Sequence, residues 1–118
     1  MPRLMSVSLT EPQVRARSKT VTRRMGWLML KSGDKLTLCR KVMGRKPGEP
    51  LERIVDVEVV SVRREPLWDI TEDDVTAEGF EDMTPAEFTE FFCGSHKGCR
   101  PDTEVTRIEW RYLESADA

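Results

Sequence analysis

The longest stretch of strand-forming sequence lies near the middle of the chain, and its apolar pattern changes partway along. Val55, Val57 and Val59 alternate with polar residues and would share one face of a strand, whereas Val60 and Val62 would share the opposite face. Such a change of face requires one extra residue in the pairing, a β-bulge, and a bulge bends the strand. The pattern therefore predicts a long strand that bends near Val59, as expected where a small barrel curls.

Shorter elements precede and follow this strand. Alternation predicts further strands at residues 5–9, 35–40 and 106–112. Short helices are predicted to start at Thr10, Thr71 and Thr84, whose hydroxyls can cap them, and Gln13 is expected to complete a capping box with Thr10. The buried face of the last helix would be formed by Phe88, Phe91 and Phe92. The order of elements predicts an α+β fold, a small mixed β-barrel with short helices outside it.

The composition is that of a soluble globular protein, with 38% hydrophobic and 34% charged residues. We expect the 118 residues to form one domain, residues 1–114, followed by a loose tail at residues 115–118. No apolar run approaches the roughly 20 residues that a membrane helix needs, and the start of the chain lacks a signal-peptide pattern. We therefore expect a cytoplasmic protein with no membrane partner, present as a monomer or weak dimer.

Charge is distributed unevenly along the chain. Residues 1–64 contain 15 Lys and Arg against 6 Asp and Glu, whereas residues 65–118 contain 4 against 15. A basic half can attract a phosphate backbone, which makes RNA or a nucleotide an expected partner. The alternative is that the two halves neutralise each other within one domain.

A basic segment at residues 18–24 is the main candidate for a functional site. It combines the cations Lys19, Arg23 and Arg24 with the hydroxyls of Thr20 and Thr22. A solvated loop can have this composition, but regular elements are predicted on both sides of it. Polar clusters held between regular elements are where folds tend to carry function.

This segment resembles the signature of the ASCH domain family, which has a PUA-like fold. The signature is Gly-x-Lys-x-x-Glu-x-Arg; Lys19 and Arg24 match it, while Arg17 stands at the glycine and Thr22 at the glutamate. Other stretches that resemble the family are the Gly33-Asp34 turn, the helix start Asp69-Ile70-Thr71, the tripeptide Glu78-Gly79-Phe80 and the closing strand at residues 105–110. The resemblance implies a small PUA-like mixed β-barrel.

One branch of the family is more similar at this segment. The bacterial N4-acetylcytidine amidohydrolases have Lys-Thr-aliphatic-Thr-aliphatic-Arg, and this chain departs from that pattern only at Arg23. In those enzymes the lysine, the second threonine and a glutamate beyond the next helix start carry catalysis. The resemblance therefore implies catalytic roles for Lys19, Thr22 and Glu78, in a hydrolase that acts on a modified nucleoside or on RNA.

Amide hydrolysis sets physical requirements on these residues. Lys19 can act as a base only if burial or the neighbouring cations Arg23 and Arg24 lower its pKa. Glu78 would protonate the departing amine or hold Lys19 in place. In a straight strand Lys19 and Thr22 would face opposite ways, so a turn between them is expected. The alternative is a Lys19–Glu78 salt bridge at a closed barrel mouth, with Thr22 bonded to the backbone.

A second hypothesis is a non-catalytic RNA-binding module that uses the same cleft. Arg17, Arg23 and Arg24 would then contact phosphate, and a base would stack on Trp27 or Trp68. Core packing is the alternative role for each tryptophan. RNA cleavage by a general base and a cation is a further enzymatic possibility, and it needs no cofactor.

A Cys/His cluster follows the last predicted helix. Cys93, His96 and Cys99 have the spacing C-x2-H-x2-C, which can supply three zinc ligands with Cys39 as a conceivable fourth. Zinc sites usually pair closely spaced ligands from two segments, however, and Cys39 falls on a predicted strand. We therefore expect free thiols and no metal.

Overall fold

The computed structural model describes residues 2–113, so the predicted domain end at residue 114 and the predicted tail lie outside the described residues. The five strands are β1 (Arg3–Ser6), β2 (Val21–Arg24), β3 (Lys35–Cys39), β4 (Arg53–Pro66) and β5 (Glu104–Tyr112). The α-helices are α1 (Glu11–Arg15), α2 (Glu72–Ala77) and α3 (Pro85–Ser95), and short 3-10 helices lie at Ser8–Thr10 and Leu67–Asp69. None of the described helices is long and apolar enough to cross a membrane.

The strands form one sheet in the order β1-β3-β4-β5-β2. The β1–β3 pair is parallel and the other pairs are antiparallel, so the sheet is mixed. The long strand β4 pairs with β3 at its beginning and with β5 along the rest of its length. The sheet curls into a half barrel with short helices around it, which confirms the predicted α+β, PUA-like class. Arg24 links the two edge strands, because its Nη2 donates to the carbonyl of Ser6 at 2.8 Å.

The predicted bulge in the long strand is confirmed. Val59 pairs with Trp110 and Ser61 pairs with Glu109, so Val60 is the extra residue between them. Val60 is 45% exposed, whereas Val59 is buried in the main core. The extra residue lets the strand change its buried face and bend, as the valine pattern requires.

The start of the chain differs from the prediction. The first strand ends at Ser6, and Leu9 lies in a 3-10 helix where it is 69% exposed. Thr10 makes no side-chain cap, and Gln13 does not complete a capping box. Instead, Gln13 Nε2 donates to the carbonyl of Gly79 at 2.9 Å. The hydrogen bond to Gly79 has replaced the predicted bond within the helix start, and it gives the Gln13 Nε2 group a partner in the packed chain.

The helix starts at Thr71 and Thr84 are confirmed. The backbone N–H of Asp74 donates to the Thr71 hydroxyl at 3.2 Å. Thr84 and Glu87 form a reciprocal capping box, with distances of 2.9 and 3.1 Å. From this capping box α3 runs to Ser95.

A short strand, β2, forms within the basic segment, where the sequence predicts no strand. It pairs antiparallel with β5, from Val21 opposite Glu109 to Arg24 opposite Thr106. This pairing places Thr22, Arg23 and Arg24 at a sheet edge. The edge faces the ends of α2 and α3.

Candidate functional site

A cleft of about 180 Å³ lies between the edge of the sheet and the helices. Its polar side comes from Lys19, from β2 and from Glu78, the residue that ends α2. Its other side is an aromatic face of α3, and the 3-10 segment Ser8–Thr10 lies along its rim. The cleft therefore brings the predicted catalytic residues together with a helix that sequence analysis did not assign to a site.

Lys19 lies inside this cleft and is only 2% exposed. Its Nζ donates to the carbonyl oxygen of Glu78 at 2.7 Å and to Glu78 Oε1 at 3.0 Å. Burial lowers the pKa of Lys19, the carboxylate of Glu78 opposes that shift, and the charges of Arg24 and Arg23 reinforce it. The sequence analysis required a lowered pKa for Lys19 to act as a base. That condition is met, and burial is the largest cause.

The backbone around Lys19 is held by two neighbouring elements. Its carbonyl oxygen accepts hydrogen bonds from Trp110 Nε1 at 3.1 Å and from the Tyr112 hydroxyl, both on β5. The backbone N–H of Thr20 donates to the carbonyl of Ala77 at 2.8 Å, at the end of α2. These bonds fix the chain just before β2 begins at Val21, so Lys19 precedes the strand. Lys19 therefore lies outside the strand that carries Thr22.

Thr22 is buried in β2 and lines the same cleft. Its Oγ1 accepts a hydrogen bond from Arg24 Nε at 3.1 Å. Within residues 2–113 the Thr22 hydroxyl has no other side-chain or backbone bond. Of the alternative stated above, the buried Lys19–Glu78 salt bridge is therefore present, whereas the backbone bond of Thr22 is not. The hydroxyl proton is free for transfer, and a cation stands at the oxygen that would become negative.

Arg24 is the cleft cation without a carboxylate partner. It forms no ion pair with any residue in the described part of the chain, although Arg23 and Lys19 both do. Burial lowers the pKa of Arg24 and the charge of Glu78 raises it. Since a guanidinium stays protonated in proteins, Arg24 offers a positive charge to a carbonyl oxygen or anion in the cleft.

Arg23 lines the cleft and belongs to a buried ionic network. Its Nη2 contacts Asp74 at 2.6 Å and Glu65 at 2.7 Å, and its Nη1 contacts Glu78 Oε2 at 3.3 Å. Arg107 binds Asp74 through Nε at 2.6 Å and Nη2 at 3.0 Å. The Arg23 guanidinium is thus enclosed by carboxylates, which positions it to orient Glu78.

The tryptophans proposed to stack a base do not line this cleft. Trp27 packs against the main core, with the Arg3 guanidinium 5.1 Å from its ring centroid. Trp68 is 60% exposed in the 3-10 helix Leu67–Asp69, beside a separate depression. Arg17 lies over the ring of Tyr112 at 5.7 Å, outside the cleft lining. The structure therefore separates these three residues from Lys19, Thr22 and Glu78.

Aromatic residues of α3 line the cleft instead. Phe91 is half-buried there, and His96 follows the helix and stacks on Phe92 with ring centroids 4.0 Å apart. The helical spacing of the phenylalanines was visible in the sequence and was interpreted as a buried face. Phe88 and Phe92 do pack in a core, so that interpretation holds for part of the row. Only the packed structure shows that the same row also borders a cavity.

The Cys/His cluster does not converge on one point. Cys93 Sγ lies 3.0 Å from Cys99 Sγ, whereas His96 Nδ1 is bonded to the carbonyl of Phe92 at 2.9 Å. Cys39 is buried in β3 and contacts the carbonyl of Thr37. No group of three or more His, Cys, Asp or Glu residues within residues 2–113 is arranged to hold a metal ion.

The solved structures that are similar to this chain include the following three. Protein EF3133 from Enterococcus faecalis V583, described with family model DUF984, has a TM-score of 0.65 and 16% identity over 96% of this chain and 80% of its own. The ASCH domain from Lactobacillus crispatus JV V101 has a TM-score of 0.64 and 17% identity, and the match covers 88% of this chain and 70% of that one. Hypothetical protein PH0355 has a TM-score of 0.64 and 15% identity over 95% and 97%. No protein-family model and no curated protein sequence matches the chain.

These similarities identify the fold. The chain has the fold of an ASCH domain structure, as the residues around Lys19 predicted. At such low identity the comparison concerns the fold alone. The similarity to the amidohydrolase branch stays a prediction.

Proposed function

We propose that the protein is an ASCH-type hydrolase that cleaves the amide of a modified nucleoside such as N4-acetylcytidine. The observation that carries this proposal is the pairing of buried Lys19 with Glu78 in a cleft that Thr22 also lines. A buried lysine with a lowered pKa is a common way to supply a base near neutral pH. In the proposal Lys19 is the base, Thr22 the nucleophile and Glu78 the residue that positions the base.

In the proposal Lys19 reacts in its neutral form, and that form can make both of the hydrogen bonds observed for Nζ. A neutral amine has two N–H groups and one lone pair, and the two bonds to Glu78 use both N–H groups. The lone pair is then free to take the hydroxyl proton of Thr22 as Oγ1 attacks the amide carbonyl carbon. Arg24 Nε is already bonded to Oγ1, so its positive charge stabilises this oxygen as the hydroxyl proton leaves.

The rest of the reaction follows from the same groups. The tetrahedral intermediate collapses when the C–N bond breaks, and the Lys19 ammonium returns its proton to the leaving amine. Water then attacks the acyl ester on Thr22 while Lys19 takes its proton. The bond between the acyl carbon and Oγ1 breaks, Lys19 returns the proton to Oγ1, and the carboxylic acid leaves. Glu78 has both carboxylate oxygens occupied, Oε1 by Lys19 and Oε2 by Arg23, so it orients Lys19 and does not donate the proton.

The size of the cleft favours a small substrate. Pockets that hold drug-sized ligands are about 300–1,000 Å³, and this cleft has about 180 Å³. That space suits a single heterocycle with its acyl substituent. A nucleoside is therefore favoured over an oligonucleotide as the group that enters the cleft.

Acetate release from N4-acetylcytidine tests the proposal directly. We expect turnover by the wild type and a loss of about 100-fold or more for Lys19→Met and for Thr22→Val, since each removes a reacting group. Thr22→Ser keeps the hydroxyl and should retain part of the rate. Lys31→Met, at an exposed lysine outside the cleft, is the matched control. No acetate release by the wild type would refute the proposal.

RNA binding without catalysis is a second candidate, and one observation favours it. The segment between β3 and β4 carries Arg40, Lys41, Arg45 and Lys46, three of which are exposed. The backbone N–H of Val7, at the cleft, donates to the carbonyl of Cys39 at 2.9 Å, which brings the start of this basic segment beside the cleft. Salt-sensitive binding of single-stranded RNA with no acetate release would favour this function.

A further inference from the structure

The aromatic side of the cleft ends in a stacked pair of rings. His96 and Phe92 lie 4.0 Å apart between centroids with an interplanar angle of 13°. The Phe92 carbonyl contacts His96 Nδ1 at 2.9 Å, and because a carbonyl oxygen only accepts, Nδ1 carries the proton. The imidazole is therefore held in one orientation against the helix. One of its faces is covered by Phe92.

The remaining surface of His96 borders the cleft. His96 is half-buried and lines the same cavity as Lys19 and Arg24. Since Phe92 covers one face, the ring has only its other face and its outer edge to present there. Phe91 extends the same aromatic surface and lies 5.3 Å from Phe80 between ring centroids. The cleft thus combines aromatic side chains with hydrogen-bonding groups in one lining.

We propose that His96 is the stacking platform for the substrate, so that the heterocycle forms a third layer on the Phe92–His96 pair. This inference rests on the proposed function, and it assigns a binding role to a residue outside Lys19, Thr22 and Glu78. A planar base stacks on aromatic side chains through its π face. With its ring against His96, the base directs its substituents toward the polar side. The platform selects a planar heterocycle, and the polar side selects its acyl amide.

The NMR signals of one residue, His96, report on this platform. His96 is the only histidine of the chain, so its ring protons give unambiguous NMR signals. Titration with cytidine, which is planar and carries no acyl group, should move these signals upfield through the ring current of the stacked base. D-ribose is the control ligand and should leave them unchanged. Absence of any shift with cytidine overturns the inference.

Substitutions separate stacking from proton transfer. His96→Ala should weaken cytidine binding about tenfold and raise KM for N4-acetylcytidine similarly, with a smaller change in kcat. His96→Phe keeps an aromatic face and should stay close to the wild type in both. Lys97→Ala, the adjacent exposed residue, is the matched control, and thermal unfolding of each variant verifies folding. The inference is overturned if His96→Ala binds cytidine normally or if His96→Phe fails as badly as His96→Ala.

The two proposals fail in different ways. Cytidine binding does not depend on turnover, so His96-dependent binding without acetate release would refute the hydrolase and support the platform. Suppose instead that acetate release depends on Lys19 and that His96→Ala has the same KM as the wild type. This result would support the hydrolase and refute the platform. The readouts of binding and chemistry are therefore independent.

Discussion

Replacement of Asp74 by asparagine tests the buried ionic network that supports the cleft. Asp74 is nearly buried and accepts hydrogen bonds from Arg107 and Arg23. The hydrogen bonds from Arg107 contribute most to lowering the pKa of Asp74 from its ordinary 3.8 to about 2, burial opposes them, and Arg23 lowers it further. Asparagine has nearly the same shape but cannot ionise, so it removes the charge from the network.

The size of the effect follows from the two pKa values. A carboxyl with a pKa of about 2 in the folded chain and 3.8 in the unfolded chain stabilises the fold by about 2.5 kcal/mol at neutral pH. Because the folded value is the lower one, this stabilisation is complete above pH 3.8 and is lost as the pH falls through about 2. About half of it remains at pH 3.

Urea unfolding of the wild type and of Asp74→Asn from pH 7 to pH 2 measures this contribution. The difference in free energy of unfolding between the two proteins should shrink by about 2 kcal/mol between pH 5 and pH 2. Asp73→Asn, which removes an exposed carboxylate from the same helical turn, is the matched control for the loss of one negative charge. A constant difference between the wild type and Asp74→Asn would refute the argument, because Asp74 would then have the same pKa in the folded and unfolded chains.

Two further predictions concern pKa values at and near the cleft. The kcat/KM for amide hydrolysis should rise with pH through a pKa below the ordinary lysine value of 10.5, because burial lowers the pKa of Lys19. Only the neutral amine accepts a proton. A pH profile without this rise would contradict the assignment of Lys19 as the base. Burial and the adjacent Cys99 raise the pKa of Cys93 from 9.0 to about 11. Alkylation of Cys93 at pH 8, followed by mass spectrometry, should therefore be about 100-fold slower than that of an unperturbed thiol and should accelerate with pH; labelling at the ordinary rate would show that its thiol is not perturbed.

Several features were predictable because their causes are local in sequence. The bulge at Val60 was visible because alternation has a period of two, and one extra residue reverses it. The capping box between Thr84 and Glu87 was visible because its partners are three residues apart. Lys19 and Glu78 were paired only through the resemblance to a family, since they are 59 residues apart in the chain.

Other features were decided by contacts between distant segments. β2 contains a single apolar residue, Val21, and forms because β5 supplies its hydrogen-bonding partners. Gln13 left its predicted local role for a bond to Gly79, which is 66 residues away. Trp27 and Trp68 have the chemistry of base-stacking residues, yet their positions in the fold keep them outside the cleft.

The sequence by itself determined the α+β class, the bend in the long strand and two of the three helix caps. Each of these depends on residues that are close together in the sequence. Only the tertiary structure decided which charged groups became a site. It buried Lys19 against Glu78, enclosed Arg23 among carboxylates and left Arg24 without an acidic partner among the described residues. Burial and charge pairing set how a side chain ionises, and both depend on neighbours that packing brings from far along the chain.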